Sequence, residues 1–381
     1  MKKISTFLLI LILIVPSLPS FATSATKNIK LAILDNPETD ASNPLLSQDL
    51  RDAYMQGVKT AIAVAKTQGI NITNKTFFYG NNLLELTQQV PNVKAWGPDA
   101  IMGLYSSNAS LMANSFFTDQ LVLSISATDI QLTQLPSNFY SLGVPDLYTI
   151  QKLVKFISTQ FPNRNLLMVV GADSKESVDV SNLFMSFYKN QNPTLTVTQN
   201  LFLSDEADTL DPKTLMKGYT SGTIILFFAI PGSYNIQIGM MNKIADYLAP
   251  NKLTFITTVD NWKSRTLLEN TNDTKNPYTA FRLDSLFVDT NSKPYKTFTK
   301  NFIKVYHTEP TDAISFVTYQ TVMSFVTALK QYPAPKNLDT KQAILWSYQQ
   351  ALKHNPNWFR LMQLKVYQLK GHKEIDFATL Q

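Results

Sequence analysis

The chain has no cysteine among its 381 residues. That absence excludes disulfides, thiol nucleophiles and thiolate metal sites together. It also excludes a lipid attached to a cysteine behind an export signal. Histidine is scarce: His307, His354 and His372 are the only three, and no two have metal-ligand spacing on a helix. No HExxH, no GxSxG elbow and no phosphate loop ending in Gly-Lys-Ser/Thr occurs. No enzyme activity, cofactor or metal is therefore expected. The acidic group Asp205, Glu206, Asp208 and Asp211 lacks the spacing and the glycine of a calcium loop, and reads as a solvated loop.

Long apolar runs are also few. The one at the N-terminus, Phe7–Val15, is too short for a span of ~20 apolar residues. Lys2 and Lys3 precede it, Pro16 and Pro19 follow, and small residues stand at Ser20, Ala22, Ser24 and Ala25. This is the pattern of a cleaved secretory signal, residues 1–25, and it predicts an exported, periplasmic, non-lipidated protein. The formal charge of +6 falls to +4 when Lys2 and Lys3 leave. The basic residues form no dense block with interleaved aromatics, so nucleic acid is not implied.

What remains is an alternation of strands and helices. Ile29–Leu34, Thr76–Tyr79, Ala100–Tyr105, Leu121–Ile125 and Phe139–Leu142 read as strands. Leu50–Ala65 shows an apolar face at helical spacing. Leu147–Phe161 opens a second series, with strands at Leu166–Val170, Leu195–Leu201, Thr223–Ile230 and Leu253–Val259. Thr223–Ile230 is continuously apolar, as a strand covered on both faces must be. Helices are predicted over Lys296–Tyr306, Ala313–Lys330 and Lys341–Lys353. Arg360–Leu369 alternates, with Leu361, Gln363, Lys365, Tyr367 and Leu369 sharing a face. The class is α/β with mostly parallel sheets, and the length calls for two lobes.

The most telling stretch is Gly103–Thr133. Two apolar runs each end in small hydroxyl residues: Ser106, Ser107 and Ser110 after the first, Ser126 and Thr128 after the second. Ligands bind outside the carboxyl ends of parallel strands, and the free N–H groups of a helix N-terminus suit a carboxylate. The same hydroxyls also serve as helix caps and turn formers. The pairing of two such loops is what points to a ligand.

The order of these segments resembles the type 1 periplasmic solute-binding proteins, in particular the leucine/isoleucine/valine-binding group of amino-acid ABC transporters. Ala100–Ser110 is similar to that family's "iiG…SS" segment, and Ser124–Gln134 to its "isP-x-A-T-x-p-e-L-T". Phe139–Phe161 and Phe298–Leu329, with Tyr306, Glu309-Pro310 and Tyr319, resemble two further segments. The resemblance implies two Rossmann-like lobes joined by a three-strand hinge. Lobe 1 is residues 26–146 and 282–355; lobe 2 is 147–281 and 356–381. It further implies a monomer that captures a small polar ligand, an amino acid or amide, for an ABC permease in the inner membrane. The alternative it leaves open is an envelope sensor or activator on the same fold.

Carried over by position, Ser106 and Ser107 fall on the carboxylate-binding loop, with the Ser107 hydroxyl on the ligand. Ser126 would give a backbone carbonyl to an ammonium, and Thr128 both its hydroxyl and its N–H to the carboxylate. In the second lobe, Ser177 stands where the family often has tyrosine. Tyr234 is the candidate aromatic, and Asp260 lies one residue past the position of the family's acid.

Overall fold

The computed structural model describes residues 27–35, 44–79, 83–104, 106–135, 138–172, 175–203, 211–219, 222–228, 234–247, 254–257, 278–359, 362–370 and 373–380. The proposed signal segment, Asp260 and Trp262 lie outside them.

The first lobe is built on a five-stranded parallel sheet of β1 (Lys27–Asp35), β2 (Ile70–Phe78), β3 (Ala100–Gly103), β4 (Leu121–Ser124) and β5 (Phe139–Ser141), in the order β2-β1-β3-β4-β5. Alternation along β1 separates its two faces. Ile29, Leu31 and Ile33 join one core, with Tyr54, Val58 and Ala61 of α1 (Pro44–Thr67). Ala32 and Leu34 join the other, with Leu86, Val90 and Val93 of α2 (Leu83–Trp96) and Ala109 and Ala113 of α3 (Ser107–Phe116). Helix α1 begins earlier than the apolar periodicity indicated, at Pro44, a residue suited to the first helical position because it has no N–H to leave unsatisfied.

The second lobe holds α4 (Asp146–Gln160), β6 (Leu166–Gly171), α5 (Lys175–Gln191), β7 (Val197–Phe202), α6 (Pro212–Leu215), β8 (Ile224–Phe228), α7 (Tyr234–Tyr247), β9 (Thr254–Thr257) and β10 (Thr279–Val288). The chain then returns to the first lobe for α8 (Lys293–Tyr306), α9 (Ala313–Gln331) and α10 (Thr340–His354). It ends in β11 (Met362–Lys370) and β12 (Lys373–Leu380) at the edge of the second sheet, whose order is β12-β11-β10-β9-β8-β6-β7. The pairs from β7 to β10 are parallel, and the C-terminal hairpin is antiparallel. The run TIILFFAI supplies β8, whose five residues are all buried.

Phe298 and Phe302 of α8 pack into the first lobe's core beside Phe316 and Tyr319 of α9. The chain thus passes between the lobes three times: from β5 to α4, from β10 to α8, and from α10 to β11. The expected boundary at 281/282 falls inside β10, which pairs with β11 as far as Val288. Helix α8 starts at Lys293 rather than Lys296, because the Ser292 hydroxyl accepts from the Tyr295 N–H and proline stands in the first turn. In β11 the apolar anchors are Leu364 and Val366 on one face and Leu369 on the other. The half-exposed strand expected here is present, and Lys365 and Tyr367 on its more open face meet the aromatic and charged groups of β10.

Candidate functional site

Strand β3 ends at Gly103 with φ +116, where a Cβ would overlap the Leu34 carbonyl oxygen of β1. Only glycine tolerates that conformation and that approach together. The next residue, Leu104, is buried and also takes a positive φ of 59. Its carbonyl accepts from Ser124 Oγ at 2.8 Å, and Ser110 Oγ, 3.2 Å away, divides its one proton between this carbonyl and that of Ser106 at 2.9 Å. The sharp turn after β3 is held in this way by groups from α3 and β4.

Ser106 is the N-cap of α3: its Oγ accepts from the Ala109 N–H at 3.2 Å. The first helical residue, Ser107, does something different. Its Oγ accepts from the Thr128 N–H and from the Asp129 N–H, each at 3.2 Å. The two loops that follow β3 and β4 are thereby joined into one polar surface. An oxygen that accepts twice has only its own O–H left to give, so the Ser107 hydroxyl is set to donate outward. The Ser107 and Asn108 N–H groups at the start of α3 have no acceptor among the described residues. The Thr128 hydroxyl is half-exposed and equally uncommitted. Thr128 itself was expected to give both hydroxyl and N–H to a ligand; here its N–H is held by Ser107.

The N–H groups and the Ser107 hydroxyl have only donation left, and the Thr128 hydroxyl can donate as well as accept. Asp129, the nearest acid in sequence, turns away to accept from the Gln131 N–H at 2.7 Å and cap a 3-10 turn. Clustered donors at a helix N-terminus fit an anionic group of a small ligand. Two hollows of about 600 Å³ exist elsewhere on the surface, one along α8 and one around Lys94, Asp119 and Lys341; neither includes these loops.

The loops also touch the hinge. The Thr128 carbonyl accepts from the Asp146 N–H at 2.9 Å, at the first residue of α4. Helix α4 packs in the second lobe through Ile150, Leu153 and Val154. A force on the Thr128 loop therefore reaches the second lobe through one peptide hydrogen bond.

Sequence reasoning missed the role of Ser124, which it placed inside the strand Leu121–Ile125 and at the start of the family-like segment Ser124–Gln134. Ser124 is fully buried. Its Oγ donates to Leu104 and accepts from the Ala127 N–H at 3.0 Å and, more weakly, from the Ser126 N–H at 3.4 Å. A hydroxyl ending a buried strand was the available signal. Ser124→Ala should cost about 1–3 kcal/mol, because it leaves a buried carbonyl and N–H short of partners. Chemical denaturation of the variant measures this.

Of the other expected site residues, Ser126 is half-buried between Ser124 and Thr128. Ser177 lies in α5 and is only 3 % exposed, covered rather than facing an open cleft. Tyr234 opens α7. Asp260 is outside the described residues.

Two charged pairs carried no sequence signal. At the end of β1, buried Asp35 lies 3.6 Å from Arg51 of α1. Burial, then the Asp35 charge, raises the pKa of both Tyr54 and Tyr79 well above the ordinary tyrosine range, so both stay neutral at any physiological pH. In β10 Arg282 and Asp284 form a fully buried pair at 3.3 Å, with the guanidinium 4.5 Å from the Tyr367 ring. They share a face because they are two residues apart on a strand.

No protein-family model and no curated protein matches the chain. Solved structures do match. The isoleucine complex of the branched-chain amino acid substrate-binding protein LivJ from Streptococcus pneumoniae superposes with a TM-score of 0.66 at 15 % identity, over 93 % of this chain and 99 % of that one. The fold is that of a type 1 periplasmic binding protein. The leucine-binding protein LivK from Thermotoga maritima agrees, with a TM-score of 0.65 at 15 % identity, over 93 % of this chain and 99 % of that one. A solute-binding protein of an ABC transporter from Rhodopseudomonas palustris, in complex with 3,4-dihydroxybenzoic acid, gives 0.63 at 12 % identity, over 92 % and 97 %.

Proposed function

We propose that this chain is an exported solute-binding protein that captures a small carboxylate-bearing solute, an amino acid or a close analogue, between its lobes for an ABC transporter. The observation that carries the reading is Ser107. By accepting two N–H groups of the neighbouring loop, it assembles a face of uncommitted donors, from which the Asp129 carboxylate is drawn off by its bond to the Gln131 N–H. Isoleucine and dihydroxybenzoate, the ligands of two proteins of this fold, differ in almost everything except a carboxylate, which supports the same choice. Binding draws the lobes together by stabilising the closed form, and the Thr128–Asp146 bond is a direct route from ligand to hinge. The protein then acts without chemistry, as a periplasmic monomer. Among the described residues no helix is long and apolar enough to cross a membrane.

A ligand at 100 times its Kd adds about 2.7 kcal/mol to stability by mass action. At roughly 2–4 °C per kcal/mol for lobes of this size, Tm should rise by about 5–10 °C. A thermal-shift screen of amino acids, their amides and aromatic carboxylates tests this. Hits should be carboxylates, and the amide of each hit should be weaker. A second reading, an envelope sensor or activator on the same fold, is favoured by Ser177, a small and covered residue where the resemblance expects an aromatic. A screen silent at millimolar concentration would select it.

A further inference from the structure

Helix α8 has the sequence KPYKTFTKNFIKVY and contains no acidic residue. Its apolar side, Tyr295, Phe298 and Phe302, packs inward against the first lobe's core. Its other side carries Lys293, Lys296, Lys300 and Lys304, all exposed. Their spacing of three, four and four residues sets them in one row, about 16 Å long at 1.5 Å per residue. A shallow trough of about 600 Å³ runs along that row.

This charge pattern works against the helix. Like charges four residues apart repel, and Lys293 stands at the positive end of the helix dipole. None of the four lysines has an acidic partner among the described residues. Two lysines elsewhere do: Lys341 pairs with Asp119, and Lys365 with Asp376 at 2.6 Å. Exposed Glu309 lies on the Tyr295 side of the helix and forms no ion pair with the row, and two other nearby acids are engaged otherwise. Asp289 accepts from the Asn291 N–H, and Asp312 caps α9.

We infer that the lysine row of α8 is a docking surface for an anionic phospholipid bilayer. All four cations are lysine and none is arginine. Lysine is a compact point charge on a flexible stem, suited to a diffuse field of headgroups, whereas forked arginine suits a fixed carboxylate or phosphate. The row is straight, solvent-facing and of one sign, which complements a planar anionic surface. Ile303, exposed beside the row near its C-terminal end, adds apolar contact at headgroup depth. Because the aromatic side is committed to the core, the helix lies against the bilayer and does not insert. This contact is independent of what the cleft between the lobes binds.

The test is flotation of the isolated protein with vesicles of phosphatidylglycerol and phosphatidylcholine in equal parts, against pure phosphatidylcholine. Binding is expected to the acidic vesicles alone. It should be lost between about 0.1 M and about 1 M salt, as the Debye length falls from about 10 to about 3 Å. Each lysine near an anionic surface strengthens binding about fivefold, so Lys296→Gln, Lys300→Gln and Lys304→Gln combined should weaken it by about ten- to a hundredfold. The same three positions as arginine should retain binding. The glutamine variant should unfold at no lower temperature than the native protein, since it removes repulsion, and that measurement confirms its fold. Removing three exposed lysines off the row, Lys59, Lys66 and Lys189, should change binding by no more than a few-fold. Equal losses in the two triple variants would reduce the effect to net charge and overturn the assignment. So would failure of the native protein to bind acidic vesicles, which would leave the row to an acidic protein face.

Discussion

Gly103→Ala should lower the thermal unfolding temperature by more than 10 °C and abolish ligand binding in whatever folded protein remains. Two costs coincide at this position. The backbone has φ +116, a region that L side chains rarely adopt, costing on the order of 1–3 kcal/mol. The new methyl would also overlap the carbonyl oxygen of Leu34 on the paired strand. That oxygen belongs to a backbone that cannot rotate away, because β1 is held between β2 and β3. Overpacking of this kind costs typically 1–3 kcal/mol and sometimes more. Together about 2–6 kcal/mol is lost from a stability that for globular proteins is commonly 5–15 kcal/mol. Gly97→Ala is the control. It too has a positive φ, of +65, but open space around it, and it should cost only about 1 kcal/mol. If both variants unfolded at the same temperature, crowding against β1 would not be what fixes the turn.

The loss of binding would follow from where that turn leads. Gly103 aims the chain into Leu104, whose carbonyl is gripped by Ser110 and Ser124. Those bonds place α3, and α3 places Ser107. The sequence carried much of this in plain form. Two buried runs ending in hydroxyls announced parallel strands opening into a pair of loops, and α/β alternation announced the two sheets. What it could not carry was which hydroxyl faces which way. Ser106, Ser107, Ser110 and Ser124 are chemically alike, but one caps a helix, one bridges two loops and two brace a carbonyl. For Ser107 the difference depends on neighbours in the loop after another strand, up to 22 residues away. Arg282 and Asp284 were hidden for a related reason. A charged pair in a strand reads as a solvated edge, and only the stacking of Tyr367 and the cover on both sides make it interior. Helix starts were legible where a proline or serine marked them, at Pro44 and Ser292, and they were missed only because apolar periodicity was weighted above those markers.

The Ser107 hydroxyl is where this reading is most exposed to test. Ser107→Ala should weaken binding of the carboxylate found by thermal shift by about a hundredfold or more. The hydroxyl has its two lone pairs taken by the Thr128 and Asp129 N–H groups, at 3.2 Å each, so its proton is what it would give to the proposed carboxylate. A hydrogen bond to a charged acceptor contributes about 1.5–3 kcal/mol, equivalent to a factor of ten to over a hundred in Kd. Alanine also releases the Thr128 loop, whose ordering the ligand must then supply. Ser107→Thr keeps the oxygen and should restore most of the affinity. Thr128→Val removes one outward hydroxyl and leaves the loop bridged; it should lose about ten- to a hundredfold, less than Ser107→Ala. Ser110→Ala should reduce stability, since Ser110 is buried and braces Leu104, and change affinity by no more than a few-fold. Calorimetric titration of the four variants, each first checked for cooperative unfolding, ranks them. Unchanged affinity in Ser107→Ala and Thr128→Val, with folding intact, would move the ligand away from these loops and leave Ser107 as a structural bridge alone.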